Sequence, residues 1–84
     1  MGLTFEWNER KARENLRKHG IAFEIAATVF GDPNSNTIYD ETNSQNEDRF
    51  VTIGMSVYGI VMVVIHTDRR NRVRIISARK ATAK

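Results

Sequence analysis

Six side chains in this sequence carry groups suited to breaking a phosphodiester: Lys18, His19, Glu47, His66, Arg69 and Arg79. Cleavage of RNA through its own 2′-hydroxyl needs a base for that proton and cations to stabilise the charge gathering on phosphorus. It also needs an acid for the leaving 5′-oxygen. Glu47 or His66 can act as the base, Arg69 and Arg79 as the charge stabilisers, and Lys18 or His19 as the acid. Arg49, Arg72, Arg74 and Lys80 add cations for the RNA backbone, and a guanidinium can grip a phosphate through two parallel hydrogen bonds. Each also has a plainer role. Lys18-His19 can cap a helix C-terminus, Glu47 and Arg49 can form a surface ion pair, and His66 can be a hydrogen-bonded strand-end residue.

Other chemistries find less support. The absence of Cys removes disulfides, thiolate metal sites and Cys nucleophiles. The two histidines lie far apart in sequence, and no spacing of His, Asp and Glu marks a metal site. No serine sits in a strained elbow, and no Gly-rich loop offers a phosphate cradle. No cofactor or metal is therefore expected.

Charge is unevenly distributed. Residues 1–20 hold five Lys/Arg against three Asp/Glu, residues 21–60 one against six, and residues 61–84 seven against one, within an overall charge of +3. Two basic ends flank an acidic middle, and folding can join the ends into one positive face. A length of 84 residues, 40% of them hydrophobic, predicts one domain over residues 1–84 with a thin core. The longest apolar run, Ile60 to Ile65, is far too short to span a membrane. The acidic N-terminus has no apolar signal core, so the expected location is the cytoplasm.

The elements that must position these groups follow from pattern. Phe5 and Trp7 alternate with Glu6 as in a short edge strand. Asn8 is a suitable N-cap for a helix over residues 9–18, which Gly20 stops, with Ala12 and Leu16 as its apolar seam. A second helix is predicted from Ala22 to Phe30 and ended by Gly31-Asp32-Pro33. The rest reads as sheet, with strands at Thr37–Asp40, Phe50–Val57, Ile60–His66 and Arg72–Arg79. In the second of these, Val51, Ile53, Met55 and Val57 share one face, and Glu47 and Arg49 have the same parity, aimed at the core side or its rim. Arg79 shares parity with Val73 and Ile75. Tight turns between consecutive strands favour antiparallel pairing. The expectation is an α+β fold, with two N-terminal helices packed on a small antiparallel sheet.

Phe5-x-Trp7, Lys11-Ala12-x-x-Asn15, Lys18-His19-Gly20-Ile21-x-Phe23-Glu24-x-Ala26 and Val29-Phe30-x-Asp32-Pro33 form an ordered series. It continues through Asp40, Glu47-x-Arg49, Gly54 and Arg74-Ile75-Ile76-Ser77-Ala78-Arg79-Lys80-Ala81. This series resembles the BrnT toxins of bacterial type II toxin–antitoxin pairs over nearly the whole chain. The resemblance implies a RelE-like fold and a metal-independent endoribonuclease that inhibits translation. It also implies a BrnA-like antitoxin that neutralises the toxin and supplies any DNA contact. Lys18, Glu47, Arg69 and Arg79 fall at positions of the family's functional pattern, and His19, Arg49 and His66 are added on chemical grounds. The free protein is expected to be a monomer or weak dimer. Relatives continue into a charged C-terminal helix where this sequence ends at Ala81-Thr82-Ala83-Lys84. The alternative implied is a catalytically inactive relative acting as a protein-interaction module.

Overall fold

The computed structural model describes residues 3–82; Ala83 and Lys84, in the C-terminal departure noted above, lie outside them. Along the chain run β1 (Thr4–Trp7), α1 (Glu9–His19), α2 (Phe23–Ala26) leading into a 3-10 turn (Ala27–Gly31), β2 (Asn36–Tyr39), β3 (Phe50–Met55), β4 (Val61–Arg69) and β5 (Arg72–Lys80). The strands form one five-stranded sheet in the order β1-β5-β4-β3-β2.

This corrects the expected architecture of two N-terminal helices on a small antiparallel, RelE-like sheet. A strand comes first, and the helices follow it. The sheet dominates and is mixed, because β1 pairs with β5 in parallel, Phe5 opposite Val73 and Trp7 opposite Ile75. Short turns join β3 to β4 and β4 to β5, which pair antiparallel as expected, and β2 pairs antiparallel with β3 across the longer segment 40–49. β1 reaches β5 only after the whole intervening chain, so no turn constrains its direction.

The second predicted helix is a single α-turn and a 3-10 turn. Phe23, Ala26 and Val29 recur at intervals of three and are all fully buried. That spacing suits 3-10 geometry, in which residues three apart lie above one another. The Thr28 hydroxyl, donating to the Ile25 carbonyl at 2.6 Å, further engages this turn.

Helix α1 begins and ends where the sequence predicts. Asn8 Oδ1 accepts from the Lys11 amide at 3.1 Å, and Gly20 adopts φ 72° while its N–H bonds the Leu16 carbonyl. Its seam differs from expectation. Leu16 is exposed, and the inward residue beside Ala12 is Asn15.

The helical segments cover one face of the sheet. There Ile21, Phe23, Ala26 and Val29 pack on Met62, Val64, Val73, Ile75 and Ala78. Trp7 meets Phe23 edge-on at 5.9 Å and Phe5 meets Phe30 at 5.3 Å, closing the β1 side. Burying one such side chain contributes roughly 1.5–3 kcal/mol.

On β3 the parity is the reverse of that expected from its apolar residues. Thr52, Gly54 and Ser56 face the helical layer, whereas Ile53 and Met55 are exposed on the other side. Close approach explains the choice. A Cβ on Gly54 would lie 2.8 Å from both Val29 Cγ1 and Ser35 Cβ, so the apolar side chains of β3 have no room inward. The sheet therefore has one covered face and one open face. Among the described residues, no helix is long and apolar enough to cross a membrane.

Candidate active site

Register places the side chains of the open face in rows across the strands. Arg69 lies opposite Arg72, and Arg72 opposite Thr4. The next row holds Thr67, Arg74 and Glu6. Farther along come Ile38, Val51, Ile65 and Ser77, then Ile53, Val63 and Arg79. One half of this face is cationic. The other half, with Ile38, Ile53, Met55 and Val61 exposed, is apolar.

Arg79 reaches this face through a bulge. Ile65 pairs with Ser77 and His66 with Ile75, so Ile76 is the extra residue and the parity of β5 changes there. Val73 and Ile75 point to the core, while Ser77 and Arg79 take the open side. The shared parity that the sequence assigned to Arg79, Val73 and Ile75 is corrected by this one insertion.

Glu47, in the loop before β3, contacts Arg69, with Oε1 accepting from Nη2 at 3.3 Å. Both side chains are largely exposed, at 41% for Glu47 and 64% for Arg69. Such a pair is worth about 0–1 kcal/mol and opens readily for a ligand. Arg49 lines a polar hollow of about 280 Å³ with Glu47, Asn43, Gln45 and Asn46. Arg72 and Arg74 each donate to Glu6, to Oε1 and Oε2, both at 3.3 Å. Arg79 donates to the Lys80 carbonyl at 3.4 Å. Lys80 itself is exposed opposite Met62, at the helix-covered parity.

Lys18 and His19 occupy a different place. They line a hollow of about 230 Å³ with Lys11, Glu14, Asn15, Ile76 and Ser77. This hollow lies along the part of β5 beyond Ile75, where β1 no longer pairs. Ser77 therefore borders both the open face and the hollow at the end of α1.

His66 is only 1% exposed and belongs to the covered face. Its ring lies edge-on to Phe30 at 4.9 Å and stacked on Phe50 at 6.0 Å. Nδ1 is 2.7 Å from Asp68 Oδ1, and Nε2 is 2.7 Å from Thr52 Oγ1, which is in turn 2.7 Å from Thr37 Oγ1. A carboxylate only accepts, so Nδ1 carries the proton; in the neutral ring Nε2 then accepts from Thr52, and Thr37 donates to Thr52. This chain of four side chains joins β2, β3 and β4. The other candidate groups take no part in it.

The candidates thus fall into separate groups. Glu47 and Arg69 are in contact, with Arg72 and Arg74 in the same and the next row. Arg79 shares their face, but its partner Val63 is six residues along β4 from Arg69, or about 20 Å of strand. The arrangement is an extended cationic track beside an apolar patch, with one carboxylate–guanidinium pair at its end. Two of its members were not singled out by sequence. Glu6 had a signal, since alternation with Phe5 and Trp7 sends it to the opposite side of β1. Thr67, 2% exposed, with a buried hydroxyl that has no hydrogen-bond partner, had none.

Among the described residues, no three His, Asp or Glu side chains gather as metal ligands would.

The fold has a counterpart of known structure. The ribonuclease toxin BrnT of Brucella abortus, solved at 1.1 Å, superposes with a TM-score of 0.75 at 21% identity, over 96% of this chain and 99% of that one. No curated protein matches the chain. The family model described as the ribonuclease toxin BrnT of type II toxin–antitoxin systems matches residues 7–84. The class is thus that of ribonuclease toxins made with an antitoxin partner. Within it, this chain belongs to the BrnT family.

Proposed function

We propose that the protein is a metal-independent endoribonuclease that cleaves RNA on the open face of its sheet and thereby inhibits translation. The contact between Glu47 and Arg69, beside the arginines of β5, carries this reading. Glu47 takes the 2′-hydroxyl proton and the 2′-oxygen bonds to phosphorus. The bond from phosphorus to the 5′-oxygen breaks, and water, which enters this exposed face freely, protonates that oxygen. Arg69 stabilises the charge that builds on the phosphoryl oxygens. The products are a 2′,3′-cyclic phosphate and a 5′-hydroxyl. Arg49, Arg72 and Arg74 hold the backbone next to the scissile bond. Arg79 holds it farther along the same face, and Lys18 and His19 meet it where it passes the free edge of β5; Lys80, on the covered side, takes no part. His66 positions β3 against β4 from the covered face.

The antitoxin of this reading is BrnA-like and provides the DNA contacts of the pair. Apolar Ile38, Ile53, Met55 and Val61 beside a row of arginines suit a partner segment with one apolar and one acidic side. Such a segment would cover the track that RNA uses.

The test is incubation of the purified chain with RNA in EDTA, followed by analysis of the new ends. Cyclic phosphate ends are expected, with Glu47→Gln and Arg69→Gln each slowing cleavage about 100-fold or more. RNA left intact both in EDTA and in magnesium would overturn the enzyme reading in favour of a protein-interaction module.

A further inference from the structure

Glu6 holds two arginines at once, and the way it does so has a chemical parallel. Its Oε1 accepts from Arg72 and its Oε2 from Arg74. A phosphodiester likewise presents one negative charge on two non-bridging oxygens. Both contacts are 3.3 Å, longer than the roughly 2.7–2.9 Å of a tight charge-assisted bond. The carboxylate is held loosely.

Two neighbouring features are suited to an anion. A hollow of about 410 Å³ is lined by Thr4, Arg69, Arg70, Asn71 and Arg72, with no acid among them. On the other flank, Thr67 lies opposite Arg74 on the open side, and its buried hydroxyl has no partner. Burying a hydroxyl without a hydrogen bond costs about 1–3 kcal/mol, so an anion that displaces Glu6 beside Arg74 would give this solvent-shielded donor the partner it lacks.

We propose that Glu6 is a built-in stand-in for an RNA phosphate, seated between Arg72 and Arg74 and competing with the substrate backbone for them. The inference rests on the RNA reading above and adds to it a residue that tunes substrate affinity. When RNA binds, a phosphate takes the guanidinium groups and the Thr67 hydroxyl, and the Glu6 carboxylate swings out to water. Glu6 restrains the toxin by weakening its hold on RNA, and it needs no partner to do so.

The test is binding of a 2′-O-methyl oligonucleotide, which lacks the attacking hydroxyl, to the wild type, Glu6→Gln and Glu9→Gln. Glu9, exposed in the first turn of α1, controls for net charge. Glu6→Gln is expected to tighten binding about five- to tenfold at low salt and to steepen the salt dependence by roughly 0.7 per regained phosphate contact. Glu9→Gln should do neither. Thr67→Val in the Glu6→Gln background should remove part of the gain. Equal gains in the two glutamine variants would overturn the proposal, as would no gain in Glu6→Gln. Inorganic phosphate serves as the second probe. If Glu6→Gln tightens phosphate while no variant binds RNA, the anion seat stands and the RNA reading falls.

Discussion

Asn15 and Ala78, separated by 63 positions, exchange two hydrogen bonds: Asn15 Nδ2 donates to the Ala78 carbonyl at 2.9 Å, and the Ala78 amide donates to Asn15 Oδ1 at 3.0 Å. A side-chain amide here does what a neighbouring strand does elsewhere in the sheet. It closes the edge of β5 where β1 has ended, and a further bond from Nδ2 to the Ile21 carbonyl fixes the turn after α1. The one polar residue on the buried side of α1 thus ties the helix to the sheet through its side-chain amide.

Removing that tie leaves two buried carbonyls and one amide without partners. Asn15→Ala is expected to cost about 3 kcal/mol, at roughly 1–3 kcal/mol for each buried group orphaned and partly rehydrated. Asn15→Asp should cost more, since it buries a negative charge against two carbonyl oxygens to which it cannot donate. Urea denaturation with a lowered midpoint and an unchanged slope is the expected result.

Thr52 links Thr37 to His66 inside the sheet. Thr52→Val keeps the volume and leaves His66 Nε2 without its donor, at an expected cost of about 1–3 kcal/mol. If His66 acts only through the fold, RNA cleavage per folded molecule should remain at the wild-type rate. A fall in the rate at constant folded fraction would return His66 to the reacting groups.

Gly54 lets the 3-10 turn sit directly on β3. In Gly54→Ala the new Cβ meets Val29 and Ser35, each at 2.8 Å, and neither contact is the far end of a flexible chain. Overpacking of this kind costs about 1–3 kcal/mol. Thermal denaturation is expected to show the loss, with Val29→Ala in the same chain relieving part of it.

Asp32 ties the end of the 3-10 turn to the sheet. Its Oδ2 accepts from the Met55 amide at 2.8 Å and its Oδ1 from the Asn34 amide at 2.9 Å. These bonds hold its carboxyl below the usual value of 3.8, the Met55 amide most of all. A depressed carboxyl stabilises the fold above its unfolded pKa, and the effect is lost as pH falls through the lower folded value. Asp32→Asn should therefore lower Tm at pH 6, and the gap from wild type should close as pH drops below about 3.8. A gap that stays constant down to pH 2 would assign the difference to something other than ionisation.

The local elements were legible in the residues themselves. Asn8 and Gly20 bound α1, Gly31-Asp32-Pro33 ends the second helical segment, and the alternation of Phe5 with Trp7 marks β1. Those signals are short-range: a cap, a ring or a two-residue period acts within a few residues of where it is written. The candidate site was legible as residue types, above all the arginines of β4 and β5, but not as an arrangement.

Which face each strand turns to the core was settled only by the packed whole. On β3 the apolar residues point outward because Gly54 allows the 3-10 turn too close for anything larger. On β5 one bulged residue, Ile76, turns Arg79 from the core side to the open side. The parallel pairing of β1, the strand-like role of Asn15 and the seating of Glu6 between two arginines all join segments more than 60 positions apart. Periodicity assigns side chains to two faces of a strand, but burial chooses between those faces. That choice depends on what the rest of the chain lays over them.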